Sequence, residues 1–149
     1  MNNWVLEELL RIYYEEENWH TIKLTPELAE KYHRTLLGLE RLLYYSSGNK
    51  IYGYVESWLI NYTQLGRIVC KDYFDPCAEN TTSGNICYVA NVWVDKCPQK
   101  ENIKKILKLR FFKQNYMCEY IVGDKINKKC QPIKVFKKQE YYDKFIGRK

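Results

Sequence analysis

The stretch that most constrains this chain is "ICYVANVWV", Ile86 to Val94, in which Asn91 is the one strongly polar residue. A strand with a wet face alternates apolar and polar residues, so a run that is apolar almost throughout fits a central strand covered on both faces. It passes through "DKCPQK" into a segment with Ile103, Ile106, Leu107 and Phe111 at helical spacing, while Lys104, Lys105, Lys108 and Lys113 are expected outside. "CEYIVGD" then reads as another strand. A strand–helix–strand unit over residues 86–123 implies a parallel pair joined by a right-handed crossover.

Upstream, Trp4, Val5, Leu9, Ile12 and Tyr13 form one helical stripe, with Asn2 or Asn3 as N-cap. A second helix opens with Thr25 as N-cap, Pro26 at its first position and Glu27 and Glu30 near the positive end of the dipole. Leu28, Tyr32, Leu36, Leu39 and Leu43 carry it to just before "SSGN". "NKIYGYVESWLINY" alternates, with Tyr52, Tyr54, Glu56 and Trp58 on one face and Ile51, Val55 and Leu59 on the other. Arg67 to Cys70 reads as a short β-rich run, Asp75 to Asn85 as a turn-rich loop and "INKKCQP" as a basic loop. "IKVFKK" is a last strand, and "QEYYDKFIGRK" is a tail of one or two helical turns. With 149 residues and neither repeat nor linker, the expectation is one domain spanning residues 1–149. Its fold class is mixed α/β (α+β), with two N-terminal helices and a mostly antiparallel sheet containing one parallel unit.

Charge is unevenly placed. Residues 1–95 carry 8 Lys/Arg against 13 Asp/Glu and residues 96–149 carry 16 against 5, which gives −5 and +11. Such a basic third suits a phosphorylated ligand, an acidic protein or nucleic acid. Fourteen Tyr point to broad half-buried surfaces, including contact surfaces. "MNNWVLEELL" has no leader pattern and no 18-residue apolar run occurs, so the expected location is cytoplasmic, with no membrane partner. The six cysteines (70, 77, 87, 97, 118 and 130) show no CxxC and no neighbouring His, which gives no metal-site spacing and implies reduced thiols. Asn61 and Asn80 begin glycosylation sequons that such a location leaves unused.

The element order resembles the GNAT-type N-acetyltransferase fold. "IYGYVESWLINYTQLGRIVC", "NICYVANVWVDKC", "LRFFKQNYMCEYIVGD" and "QPIKVFKK" look like uncharacterised GNAT-like proteins of bacteriophages, over roughly residues 50–137. The resemblance implies that the pantetheine arm of acetyl-CoA or another acyl-CoA lies beside Cys87 to Val94, against Val92 and Val94. It also implies that the pyrophosphate sits on the turn holding Gln99, Lys100, Asn102, Ile103 and Lys104. The family pattern there is Arg/Gln-x-x-Gly-x-Gly/Ala. Gln99 matches its first position, but Asn102 and Lys104 stand where small residues let the backbone approach phosphate. The expectation is a retained shape with a weakened grip.

For acyl transfer the fold needs a base for the amine and a hydroxyl for the leaving thiolate. Glu56 and Asp95 are the candidate bases, and Tyr116 and Tyr120 the candidate acids. A related branch, the toxin-activating acyltransferases, uses a His and an Asp; here His20 and His33 fall in the helical first third, with His33 reading as an exposed helix residue. Three functions follow. One is a phage-type binding or structural protein that engages host or virion proteins through the Tyr-rich strand face. Another is an acyl-CoA-dependent N-acyltransferase. The third is a nucleic-acid binder with Tyr141 and Tyr142 as stacking residues.

Overall fold

The computed structural model describes residues 3–16, 24–69, 84–123 and 134–147. In chain order they form α1 (Asn3–Arg11), α2 (Pro26–Gly38), β1 (Leu42–Ser47), β2 (Lys50–Ile60), α3 (Tyr62–Val69), β3 (Ile86–Val94), α4 (Lys100–Gln114), β4 (Tyr120–Gly123), β5 (Lys134–Lys137) and α5 (Lys138–Phe145). α1 runs on into a π-helical turn, Ile12–Glu16. The strands make one mixed sheet in the order β1-β2-β3-β4-β5. β3 and β4 are parallel and the other pairs antiparallel, so α4 is the expected crossover and β3 the expected central strand.

Two apolar layers sandwich the sheet. On one face Val5, Leu9, Ile12 and Leu36 of the N-terminal helices pack on Ile51, Tyr54, Trp58 and Ile86. On the other Ile103, Leu107 and Phe111 of α4 pack on Val55, Cys87 and Ile121. Gly53 allows α4 to sit close: a Cβ there would come within 3.1 Å of Leu107 Cδ1 and 3.2 Å of Ile103 Cγ2. α2 starts as its sequence dictates, with Thr25 Oγ1 accepting from the Leu28 amide and Pro26 in the first turn.

Several elements depart from expectation. α2 stops at Gly38, Glu40 takes a left-handed φ of 56°, and Leu42–Ser47 becomes β1. The segment returns through Gly48, at φ 62°, to pair with β2. The α2 stripe is also rotated: Ala29, His33 and Leu36 face the core and Leu28 is 52% exposed. Tyr62–Val69 is a helix where a β-rich run is expected at Arg67; Cys70 lies outside the described residues. Its start is fixed by Asn61 Oδ1 accepting from the Gln64 amide (2.8 Å) while Gln64 Oε1 accepts from the Asn61 amide (2.9 Å). "NYTQ" is therefore a reciprocal helix cap. In β2 a bulge at Tyr52 breaks the alternation, so Ile51 joins Tyr54 and Trp58 in the core while Tyr52 packs on the α4 side. Tyr54 and Trp58 are fully buried, which removes them as a contact surface. On α4, Ile106 is half-buried, and so are Lys104 and Lys108, which were expected outside. The N-cap position Asn2, most of the Asp75 to Asn85 loop, the basic loop at 126–132, Asn80, His20, Cys77 and Cys130 lie outside the described residues.

Two outcomes test this packing. Leu107→Ala should cost on the order of 2–5 kcal/mol in urea unfolding; a loss below about 1 kcal/mol would place that helix face in solvent. Gly84 and Gly66 should respond oppositely to alanine. A Cβ on Gly84 would overlap the Ile60 backbone, whereas one on Gly66 meets open space within α3. Gly84→Ala should destabilise the fold strongly and Gly66→Ala should stabilise it by about 0.5–1 kcal/mol.

Candidate functional site

β4 meets β3 only from Ile86 to Val89. Beyond Val89, among the described residues, no strand pairs with β3 on that side, and Ala90–Val94 keep an open edge. At the same point β3 is bulged: Glu56 pairs with Asn91 and Ser57 with Val89, which leaves Ala90 as an extra residue. A groove of about 210 Å³ follows this edge. Val89, Val92 and Val94 form one wall, Lys104, Leu107 and Lys108 of α4 the other, and Tyr141 and Phe145 of α5 the far end. Its apolar lining and small volume suit one extended arm and not a whole nucleotide. Its two charges are lysines whose stems lie along the wall, with Lys108 Nζ 5.7 Å from the Phe145 ring centre.

The groove's other end is the turn into α4. The Asp95 amide donates to Tyr52 O (2.8 Å), the Cys97 amide to Asp95 O (3.0 Å), the Lys100 amide to Cys97 O (3.1 Å) and the Ile103 amide to Gln99 O (3.0 Å). Gln99 occupies the N-cap without a side-chain bond. Among the described residues the amides of Glu101 and Asn102 make no comparable bond and remain as donors at the positive end of the helix. Gln99, Lys100, Asn102 and Lys104 thus gather at one place. Ile103 does not join them, since its side chain is 2% exposed in the core and its amide is committed. Lys104 Nζ lies 3.4 Å from Glu101 Oε1 in an exposed pair that holds it only loosely.

The opposite face of the sheet holds a buried polar cluster. Glu56 is 3% exposed and His33 fully buried, which corrects the reading of His33 as an exposed helix residue. His33 Nδ1 lies 2.8 Å from Ala29 O. A carbonyl can only accept, so Nδ1 carries the proton and a neutral ring turns the bare lone pair of Nε2 toward Glu56 Oε1, 3.7 Å away. Glu56 Oε2 accepts from Tyr32 Oη (3.0 Å), and Trp58 Nε1 donates to Tyr32 Oη (3.4 Å). Asn91 Nδ2 donates to Tyr54 Oη (3.1 Å) beside them. Burial pushes the Glu56 carboxyl up to about 7, against the hydrogen bonds from Tyr32 and Asn91. Burial lowers His33, against its bond to Ala29. Both directions favour neutral forms of the two groups, and His33 Nε2, 3.7 Å from Glu56 Oε1, is buried without a hydrogen-bond partner.

The four candidate catalytic residues do not converge. Asp95 follows β3, three positions past Val92, whose cross-strand partner is Val55. Tyr120 pairs with Ile86 at the other end of that strand and packs on the α1/α2 core. Tyr116, 56% exposed, follows α4 with Lys138 Nζ 4.1 Å over its ring. Val92 and Val94 line the groove, Val92 52% exposed. Sequence reading missed Lys108, Tyr141 and Phe145 as groove residues and His33, Tyr32 and Asn91 as companions of Glu56. The signal for His33 is its spacing from Ala29 and Leu36, four and three residues away on one face. Among the described residues no group of three His, Cys, Asp or Glu could hold a metal, and no helix is long and apolar enough to cross a membrane.

No family model, no curated protein and no solved structure matches this chain.

The buried pair sets a pH dependence. A carboxyl raised to about 7 binds its proton more tightly folded than unfolded, so its contribution is full below the ordinary value of 4.5 and is lost as pH rises through about 7. His33, lowered, acts oppositely: its contribution is full above 6.5 and is lost as pH falls. Glu56→Gln keeps the shape, removes the first effect and leaves the second. Between pH 5 and pH 8 the stability difference should move in favour of the variant by roughly 2–3 kcal/mol. A difference that stays flat across this range, measured by denaturant unfolding, would show Glu56 to be ionised throughout.

Proposed function

We propose that this chain is a binding protein of GNAT-like, phage-type architecture, whose groove takes the acyl-pantetheine end of an acyl-CoA weakly and without turning it over. The observation that carries this reading is the opposition of groove and base. The open edge of β3 and the groove lie on the α4 face, whereas Glu56 is sealed on the α1/α2 face behind Tyr32 and His33. An extended arm can pair with free backbone groups at Ala90–Val94 and bury its apolar part against Val92 and Leu107. Its phosphates would meet the Glu101 and Asn102 amides together with Lys100 and Lys104. Side chains at Asn102 and Lys104 keep that approach looser than glycines would. The physiological partner in this reading is a host or virion protein, with the basic third facing an acidic surface.

A second reading, an N-acyltransferase, is favoured by one observation. A carboxyl at about 7 is poised to accept a proton at neutral pH, and Glu56 sits across from the bulge that bounds the groove. Catalysis would require access to Glu56 from the α1/α2 side.

Calorimetric titration with acetyl-CoA and with a longer acyl-CoA at physiological ionic strength separates the two. Expected are dissociation constants weaker than about 10 μM, further weakened at least about tenfold by Val92→Asp, a loss of roughly 1.4 kcal/mol. No free CoA thiol should be released with amine acceptors. Release that disappears in Glu56→Gln would establish the transferase in its place.

A further inference from the structure

Arg41, between α2 and β1, is a buried cation whose partners are all neutral. It is 8% exposed, and its Nη2 donates to Asn115 Oδ1 (2.6 Å), Ser57 Oγ (2.9 Å) and Cys87 Sγ (3.4 Å). All three bonds leave one nitrogen. Nε is buried without a partner, and among the described residues no carboxylate comes within ion-pair distance of the guanidinium. A guanidinium keeps its proton, so its burial is not relieved by loss of charge. The neutral dipoles around it, including the C-terminal end of α4 at Asn115, offset part of that charge and leave the Nε donor unanswered.

The backbone holds the side chain in this place. The Arg41 amide donates to Leu36 O (2.9 Å), and Arg41 O accepts from the Ser57 amide (3.1 Å). A cavity of about 240 Å³ lies here, walled by Leu39, Glu40, Arg41, Leu59 and Gln114. Its walls adjoin the guanidinium's own partners: Leu59 follows Ser57 by two positions on the same face of β2, and Gln114 immediately precedes Asn115. Gln114 Nε2 donates to Glu40 O (2.6 Å), which ties the end of α4 to the left-handed turn and joins two of the walls.

We propose that this cavity is a binding site for a small monocarboxylate with a short aliphatic body, its carboxylate on the Arg41 guanidinium and its body against Leu39 and Leu59. A carboxylate accepts hydrogen bonds and carries the charge that the buried donor lacks. The two leucines favour carbon over water, and the volume admits a ligand of a few carbons and not a nucleotide. Glu40 stands in the wall as an exposed carboxylate. Its charge works against a second negative charge on the ligand, so phosphate is disfavoured. The groove along β3 shares no lining residue with this cavity, and binding here does not depend on what the groove holds.

Calorimetric titration of the full-length protein with isovalerate at constant ionic strength tests this, beside isovaleramide, which has the same body without the charge, and inorganic phosphate. Expected is saturable binding of the carboxylate at one site, with the amide and phosphate each weaker by at least about tenfold. Leu39→Glu places a negative charge at a wall position that is 36% exposed, where the fold tolerates it, and should weaken the carboxylate by at least about tenfold. Glu40→Gln removes the wall's own charge and should tighten it severalfold. Val92→Asp, in the groove, should leave it unchanged. Arg41→Gln should abolish binding, and where that variant does not fold, Leu39→Glu and Glu40→Gln decide. Absence of saturable binding, equal binding of the amide, phosphate bound as tightly as the carboxylate, or binding lost in Val92→Asp and kept in Leu39→Glu would each overturn the site.

Discussion

β3 has two strand neighbours from Ile86 to Val89 and, among the described residues, one from Ala90 to Val94. The bulge at Ala90 falls at that change. A strand's side chains alternate with period two, so an extra residue shifts the phase of everything after it. Cys87 and Val89 face α4, and without the bulge Asn91 would follow them. With it, Asn91 turns to the α1/α2 face beside Tyr54 and Glu56, Trp93 joins the core there, and Val92 and Val94 point into the groove. One inserted residue thus sends the strand's single amide side chain to the buried carboxyl and lines the open edge with valine. An unpaired edge is an invitation to association. Here α4 and α5 flank it, leaving a narrow apolar channel in place of a flat edge.

Two buried ionisable centres sit back to back across β2. On one face burial drives Glu56 and His33 each toward its neutral form, with the His33 tautomer fixed by the Ala29 carbonyl. On the other face Arg41 cannot discharge, so neutral oxygens and a sulfur solvate it. The contrast follows from proton affinity. A carboxyl or imidazole escapes burial by taking or losing a proton, whereas a guanidinium keeps its charge and must shape its surroundings. Adjacent β2 residues, Glu56 and Ser57, serve the two centres because their side chains leave the sheet on opposite faces.

What was legible in the sequence was whatever a local pattern dictates. The unbroken apolar run of β3, the i, i+4 stripe of Ile103, Leu107 and Phe111, the crossover and the Thr25–Pro26 cap all appear where the chain places them. β1 was not legible, because Leu39 and Leu43 continue the spacing of Leu36 with no Gly or Pro between Gly38 and Gly48; Glu40 in a left-handed turn ends the helix, and pairing with β2 decides the rest. α3 was hidden because "RIVC" reads as β-branched while Asn61, which with Gln64 starts the helix, reads as the end of a strand and the first residue of a sequon. Glu56 was visible as a carboxylate on an apolar strand. Its partner was not, since His33 is flanked in sequence by exposed Arg34 and only the fold turns it inward. Val92 and Val94 of the groove sit on the strand that the apolar run picks out, but its far end comes from α5, some forty residues beyond α4's start, and no local spacing links the two.

The basic third of the chain is organised around aromatic rings, and this bears on what it can bind. Lys108 and Lys144 lie over Phe145, Lys144 over Phe136 and Lys138 over Tyr116. Tyr141 is half-buried between Phe111, Phe136 and Phe145, and Tyr142 stacks on Phe112. A single-stranded nucleic acid binder presents aromatic faces free for bases along a cationic track. Here Tyr141 is already packed, Tyr142 is 38% exposed beside Phe112, and Lys108, Lys138 and Lys144 are drawn onto rings of the same cluster. At the rim of the apolar channel Lys104 stands with Val92 and Leu107. That pairing favours a ligand that is apolar along its length and anionic at one end over a uniformly charged polymer, because only the former gains from both the wall and the rim.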